Sequence, residues 1–119
     1  MKIGVIIVAA FCLQAFEVRA QDLPFCQAEL NNEFNEVIAK NEWREDLFIG
    51  AIEGATQTVL ISTSVGNDKI MSLWVREKTP SRPNGLFSFV DLSSGRKQYS
   101  RFYMADGFSV GVTCQLTEK

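Results

Sequence analysis

The chain has 119 residues, of which 46% are hydrophobic and 22% charged, a balance that excludes a disordered or low-complexity polypeptide and suffices for one hydrophobic core. Lysine and arginine total 12 against 14 acidic residues, a net charge of -2, so the chain is no general binder of polyanions. It contains no histidine, which removes Ser-His-Asp and Cys-His catalytic arrangements and the usual zinc ligand sets.

The amino terminus places Lys2 before an apolar run from Ile3 to Leu13, followed by a more polar stretch ending in Val18-Arg19-Ala20. A charged start, an apolar core and a small-residue cleavage site predict a signal peptide over residues 1 to 20. The apolar run is about ten residues long, short of the roughly twenty that span a bilayer, so no stable membrane anchor is expected. Phe11 precedes Cys12 where a lipoprotein signal has a small residue, which argues against lipidation. Residues 21 to 119 are then expected to form one small soluble domain, periplasmic or secreted.

Cleavage would remove Cys12 and leave Cys26 and Cys114. In an oxidising compartment these two can form one intramolecular disulfide. Its loop of about 88 residues corresponds to roughly 4 to 5 kcal/mol in the chain-entropy model.

The first element of the mature chain reads as a helix. Asp22 can cap it, Pro24 suits its first turn, and Cys26, Leu30, Phe34, Val37 and Ile38 recur at steps of three and four, with Glu29, Glu33 and Glu36 elsewhere. This predicts a helix that ends near Asn41 to Arg44, with Cys26 on its apolar stripe. Strand-like runs follow at Leu47 to Ala51, Thr56 to Thr63, Ile70 to Lys78, Leu86 to Asp91, Gln98 to Met104 and Phe108 to Leu116. Turns are expected at Gly66-Asn67-Asp68, Ser93-Ser94-Gly95 and Asp106-Gly107, and the prolines of Thr79 to Gly85 mark a loop. Short turns favour antiparallel pairing. The expected fold is therefore α+β: an N-terminal helix packed on an antiparallel meander of about five strands, closed by one disulfide. Alternation puts Phe108, Val110, Val112 and Cys114 on one face of the last strand, so Cys114 points inward as Cys26 does. An open meander leaves two unpaired edges, which makes dimerisation possible.

Candidate chemistry is sparse. Gly50 to Gly54 lacks the lysine and hydroxyl of a phosphate-binding loop. Glu42, Glu45 and Asp46 are carboxylates near one another in sequence, and at a helix end they read as a solvated acidic turn rather than an acid/base pair. No catalytic residue, metal or cofactor is expected. Charge is unevenly distributed: acids dominate from Asp22 to Glu53, bases thereafter. Arg76, Lys78, Arg82, Arg96, Lys97 and Arg101 are the candidate binding surface. Tyr99 and Tyr103 interleave with the last of these in a manner suited to stacking and phosphate contact, but export argues against nucleic acid as the partner. Trp43 and Trp74 are expected in the core or at its rim.

Trp43 through Gly50, Thr58-Val59-Leu60-Ile61-Ser62, Lys69 through Arg76, Phe89-Val90-Asp91 and Arg96 through Arg101, taken in order, resemble bacterial surface-adhesin protein E and its exported relatives over roughly half of the chain. The resemblance implies a small exported domain with a helix against an antiparallel sheet, no cofactor, and a role in attachment to other macromolecules; it assigns no binding residue. The expected function is an exported, non-enzymatic binding module, adhesin-like, whose partner is a protein or other extracellular macromolecule. The alternative is a small inhibitor of an extracellular or periplasmic enzyme such as a lysozyme, in which the acidic helix or the loop Thr79 to Gly85 enters a cationic cleft.

Overall fold

A computed structural model describes residues 23–78, 85–104 and 107–117. The expected signal peptide, with Cys12, lies outside the described residues, as do Arg82 and most of the proline-containing loop.

The described residues contain eight strands and no helix: β1 (Leu23–Asn31), β2 (Val37–Arg44), β3 (Leu47–Glu53), β4 (Thr58–Val65), β5 (Ile70–Glu77), β6 (Leu86–Asp91), β7 (Gln98–Tyr103) and β8 (Ser109–Thr117). They form two antiparallel four-stranded sheets, ordered β2-β1-β8-β7 (sheet A) and β3-β4-β5-β6 (sheet B). Every hydrogen-bonded neighbour is therefore consecutive in sequence except β1 and β8, whose pairing joins the first and last strands. The meander runs around the molecule and is interrupted where the chain passes from β2 to β3 and from β6 to β7.

The expected α+β fold is thus corrected to all-β. Where a helix was expected, the chain makes the β1–β2 hairpin, with Cys26 opposite Trp43 and Ala28 opposite Asn41. The reason lies in the periodicity. Cys26 and Leu30 are four apart, a spacing that helix and strand both place on one face. Pro24, Cys26, Ala28 and Leu30 are all buried, which is the two-residue period of a strand. Phe34, assigned to the helical stripe, instead sits 74% exposed at the hairpin tip. The reversal is made by asparagines: Asn32 Oδ1 accepts from the backbone N–H groups of Phe34 (2.9 Å) and Glu36 (3.0 Å), and Asn35 takes φ 64°, a conformation asparagine tolerates well.

The core lies between the sheets. Cys26, Ala28, Leu30, Val110, Val112 and Cys114 from sheet A meet Val59, Ile61, Met71, Leu73 and Val75 from sheet B, and Cys26 Sγ lies 4.0 Å from Met71 Sδ. Cys26 and Cys114 are directly opposed on β1 and β8 and form the expected disulfide, with Cα atoms 4.2 Å apart. It staples the two strands whose pairing closes the meander.

The two sheets are tied at the β2–β3 corner by side chains instead of a ladder. The rings of Trp43 and Phe48 stack at 4.2 Å and 12°, and Asn41 Nδ2 donates to the Ala51 carbonyl across the gap (3.4 Å). The later strand assignments and the Gly66-Asn67-Asp68 and Ser93-Ser94-Gly95 turns agree with the sequence to within two residues.

Candidate binding faces

Strand alternation gives each sheet an outer face, and the two differ chemically. On sheet A, β7 presents Tyr99, Arg101 and Tyr103, paired respectively with Thr113, Gly111 and Ser109 of β8. Farther across lie Gln27, Glu29, Lys40 and Glu42. Gln27 Nε2 donates to Glu42 Oε1 at 2.7 Å, and Lys40 forms an ion pair with Glu42 at 3.7 Å. This face is polar.

The β7 row is ordered by a missing side chain. A Cβ at Gly111 would lie 2.8 Å from the Tyr99 hydroxyl, so the ring leans across β8 because glycine leaves the space. Arg101 Nε donates to Tyr99 Oη at 2.7 Å, its guanidinium carbon lies 5.8 Å from the Tyr99 ring centroid, and Nη1 donates to Asn35 Oδ1 at 3.3 Å. The Tyr99 hydrogen bond, with Tyr103 contributing, holds the Arg101 pKa above its ordinary value. No carboxylate forms an ion pair with Arg101 among the described residues. Its charge is positioned by neutral groups and remains uncompensated at contact distance, between two exposed tyrosines.

On sheet B the outward residues are Leu47, Ile49, Ala51 and Glu53 from β3, Thr58, Leu60, Ser62 and Ser64 from β4, Ile70, Ser72, Trp74 and Arg76 from β5, and Phe87, Phe89 and Asp91 from β6. Ile49 is 76% and Phe89 69% exposed. Phe87 and Phe89 meet edge to face with centroids 4.8 Å apart, and Arg76 lies 5.6 Å from the Trp74 ring centroid. Ile49, Leu60, Ser62, Trp74 and Arg76 line a groove of about 400 Å³ over β4. Trp74 is 42% exposed, at the rim as the sequence suggested; Trp43, at 6%, belongs to the core.

The six bases of the expected binding surface do not share one face. Arg76 is on the outer face of sheet B and Arg101 on that of sheet A. Arg96 and Lys97 are exposed in the β6–β7 connection, at the end of the molecule that also carries the β2–β3 and β4–β5 links; Lys78 follows β5 at the opposite end. Arg82 lies outside the described residues. What the fold keeps together is Arg96, Lys97 and Arg101, which lead into and along β7.

The carboxylates considered for acid/base work are at the surface. Glu42 is engaged by Gln27 and Lys40, while Glu45 and Asp46 are exposed in the two-residue link between β2 and β3. Among the described residues no cluster of potential metal ligands occurs, and no helix is long and apolar enough to cross a membrane. The apolar outer face of sheet B was missed from the sequence, although Phe87, Phe89 and Trp74 at alternate positions of two successive strands carry its signal. No family model, curated protein or solved structure matches this chain.

Proposed function

We propose that the chain is an exported, non-enzymatic binding module that attaches to an extracellular macromolecule through the β7 row. The observation that carries this reading is Arg101: exposed, without an ion-pair partner among the described residues, and held in place by Tyr99 and Asn35. Tyrosine and arginine are the residue types that dominate interface energetics. A guanidinium already oriented by neutral neighbours loses less side-chain entropy on meeting a carboxylate or sulfate. Lys97, exposed in the connection immediately before β7, adds a second cation near the start of the row. Export is supported by the amino-terminal pattern and by the disulfide, which suits an oxidising compartment. The same segment, Arg96 through Arg101, is part of the resemblance to the surface-adhesin family.

The test is binding of the oxidised protein to immobilised extracellular-matrix proteins and sulfated glycans. Tyr99→Ala and Arg101→Glu are expected to weaken a wild-type interaction by about tenfold or more. Unchanged binding by both variants would remove the β7 row as the site.

A second reading, inhibition of an extracellular hydrolase such as a lysozyme, is favoured by one feature. The helix that was to enter the cationic cleft does not exist, but its acids Glu33 and Glu36 now flank exposed Phe34 at the tip of the β1–β2 hairpin. A lysozyme activity assay separates the readings: inhibition relieved by Glu33→Lys and unaffected by Arg101→Glu would favour the inhibitor.

A further inference from the structure

We infer that the ligand of the β7 row is an acidic polysaccharide in which charged units alternate with neutral ones, and that a neutral sugar ring occupies the cleft at the end of the row. The inference rests on the reading of the β7 row as the binding surface and names the class of molecule that surface takes.

The row continues past Tyr103. There the tip of the β1–β2 hairpin and the chain ahead of β8 enclose a cleft of about 220 Å³, whose lining includes Glu33, Asn35, Tyr103, Gly107 and Ser109. Drug-sized pockets begin at roughly 300 Å³, so this one admits a single ring-sized group. Asn35 is set by its φ of 64° and by its N–H, which donates to the Asn32 carbonyl at 2.9 Å. A Cβ at Gly107 would lie 3.3 Å from Glu33 Oε2, so the carboxylate stands beside that glycine on the far wall. The hydrogen bond from Arg101 Nη1 to Asn35 Oδ1 at 3.3 Å joins row and cleft into one site.

Shape favours a linear saccharide over a protein. Tyr99, Arg101 and Tyr103 form a single row on an edge strand, narrow for the roughly 800 Å² per partner of a standard protein interface but matched to a chain lying along it. The tyrosines are separated by about 13 Å along the strand, more than one sugar ring, so the row engages several units. Tyr103, 75% exposed, offers its face to the C–H face of a pyranose. The amide of Asn35, the carboxylate of Glu33 and the hydroxyl of Ser109 suit its hydroxyl groups.

Charge sets the order of the units. Of the five N–H donors of a guanidinium, Arg101 directs one to Tyr99 Oη and one to Asn35 Oδ1, which leaves donors for an anionic oxygen. In the cleft the charged group is Glu33, which forms no ion pair among the described residues. It repels a second acid and accepts from hydroxyl groups instead. Glu29, beyond Gly111 at the level of Arg101, and Glu42 on β2 keep a polyanion from lying across the sheet. An acid over Arg101 and a neutral ring in the adjoining cleft is the arrangement that remains.

Calorimetric titration of the purified oxidised protein with hexasaccharides tests this. The probes are hyaluronan, in which glucuronate alternates with a neutral amino sugar; poly-N-acetylglucosamine, wholly neutral; and heparin, acidic at every unit. Hyaluronan is expected to bind about tenfold or more tighter than either of the others. Arg101→Gln should abolish its advantage over the neutral chain, and Glu33→Lys should transfer the preference to heparin. Asn35→Gly, which keeps the left-handed backbone and removes the amide, should weaken hyaluronan binding about tenfold. A purely structural role for these residues would not exchange one preference for another. Heparin binding tightest to the wild type would overturn the alternation, as would saccharide binding indifferent to Arg101→Gln and Asn35→Gly. Attachment to a matrix protein that is lost in Arg101→Glu, with no saccharide bound, would overturn this inference and leave the β7 row as a protein-binding site. Attachment of either kind that survives both Tyr99→Ala and Arg101→Glu would remove the row itself.

Discussion

The two outer faces of the molecule are built from the same strand geometry and use the same device, an aromatic ring leaning over a glycine of the neighbouring chain segment with an arginine beside it. On sheet A the pair is Tyr99 and Arg101 over Gly111; on sheet B it is Trp74 and Arg76 beside Gly85. What differs is the setting. Around Arg101 stand hydroxyls, amides and charges, and the guanidinium is hydrogen-bonded on two sides. Around Arg76 stand Ile49, Leu60 and Trp74, with Phe87 beside Trp74 on β6. The first arrangement orients a charge for a polar partner; the second offers apolar area with a charge at its border. Alternation alone makes a two-layer β protein present two independent surfaces, since the chemistry of one outer face constrains the other only through the shared core.

The largest expected effect tests what keeps sheet A closed. Replacing Cys26 and Cys114 by alanine removes the crosslink between β1 and β8 and is expected to cost roughly 4 to 5 kcal/mol, the chain-entropy value for its long loop. Equilibrium urea unfolding of the oxidised protein and the double variant measures it. A loss below about 1 kcal/mol would mean that the β1–β8 ladder closes the meander without the crosslink.

The two glycines sharpen the contrast between the faces. Gly85→Ala sets a methyl group against the Val75 carbonyl as well as the indole, and the carbonyl cannot retreat without moving a strand, so a loss of about 2 kcal/mol is expected. Gly111→Ala meets only the far end of the Tyr99 side chain, which can rotate away, and should cost less than about 1 kcal/mol. Thermal denaturation of both variants gives the order. The reverse order would show that Tyr99, and not Trp74, is the rigid platform.

Arg101→Gln is expected to leave the melting temperature unchanged, because the side chain is exposed, while weakening the proposed attachment through β7 by up to about tenfold. A fall in melting temperature would assign Arg101 a structural role in fastening the β1–β2 hairpin through Asn35.

The smallest effect concerns the border of the sheet B face. Asp91 accepts hydrogen bonds from Ser93, whose side chain and backbone hold its carboxyl below the ordinary carboxylate range. A depressed folded-state pKa contributes stability above the ordinary value, and the contribution disappears as pH falls through the depressed one. Asp91→Asn should therefore be slightly less stable than the wild type at about pH 7 and indistinguishable from it at about pH 2. Melting curves at the two pH values check the sign.

Much of the second half of the chain was legible because its signals are local. Gly66-Asn67-Asp68 and Ser93-Ser94-Gly95 turn where short polar residues support tight turns, and the β-branched and aromatic runs between them became strands. The first hairpin was misread because Cys26 and Leu30 satisfy two periods at once. Asn32 and Asn35, which reverse the chain, are also ordinary residues of an acidic helix face. The basic surface was only partly legible: Arg96, Lys97 and Arg101 are neighbours in sequence and remain so, but Arg76 leaves for the opposite face because β5 and β7 belong to different sheets.

The sequence by itself determined the inward direction of Cys26 and Cys114, the one available crosslink and most of the later strands, since each depends on alternation or on neighbouring residues. Only the tertiary structure decided that the amino-terminal segment is a hairpin and that β1 pairs with β8. It alone decided that the outer faces separate into a polar and an apolar surface. Those outcomes depend on partners up to 88 residues away along the chain, and the free energy of burying one face of each sheet against the other is set by the whole core and by no local segment.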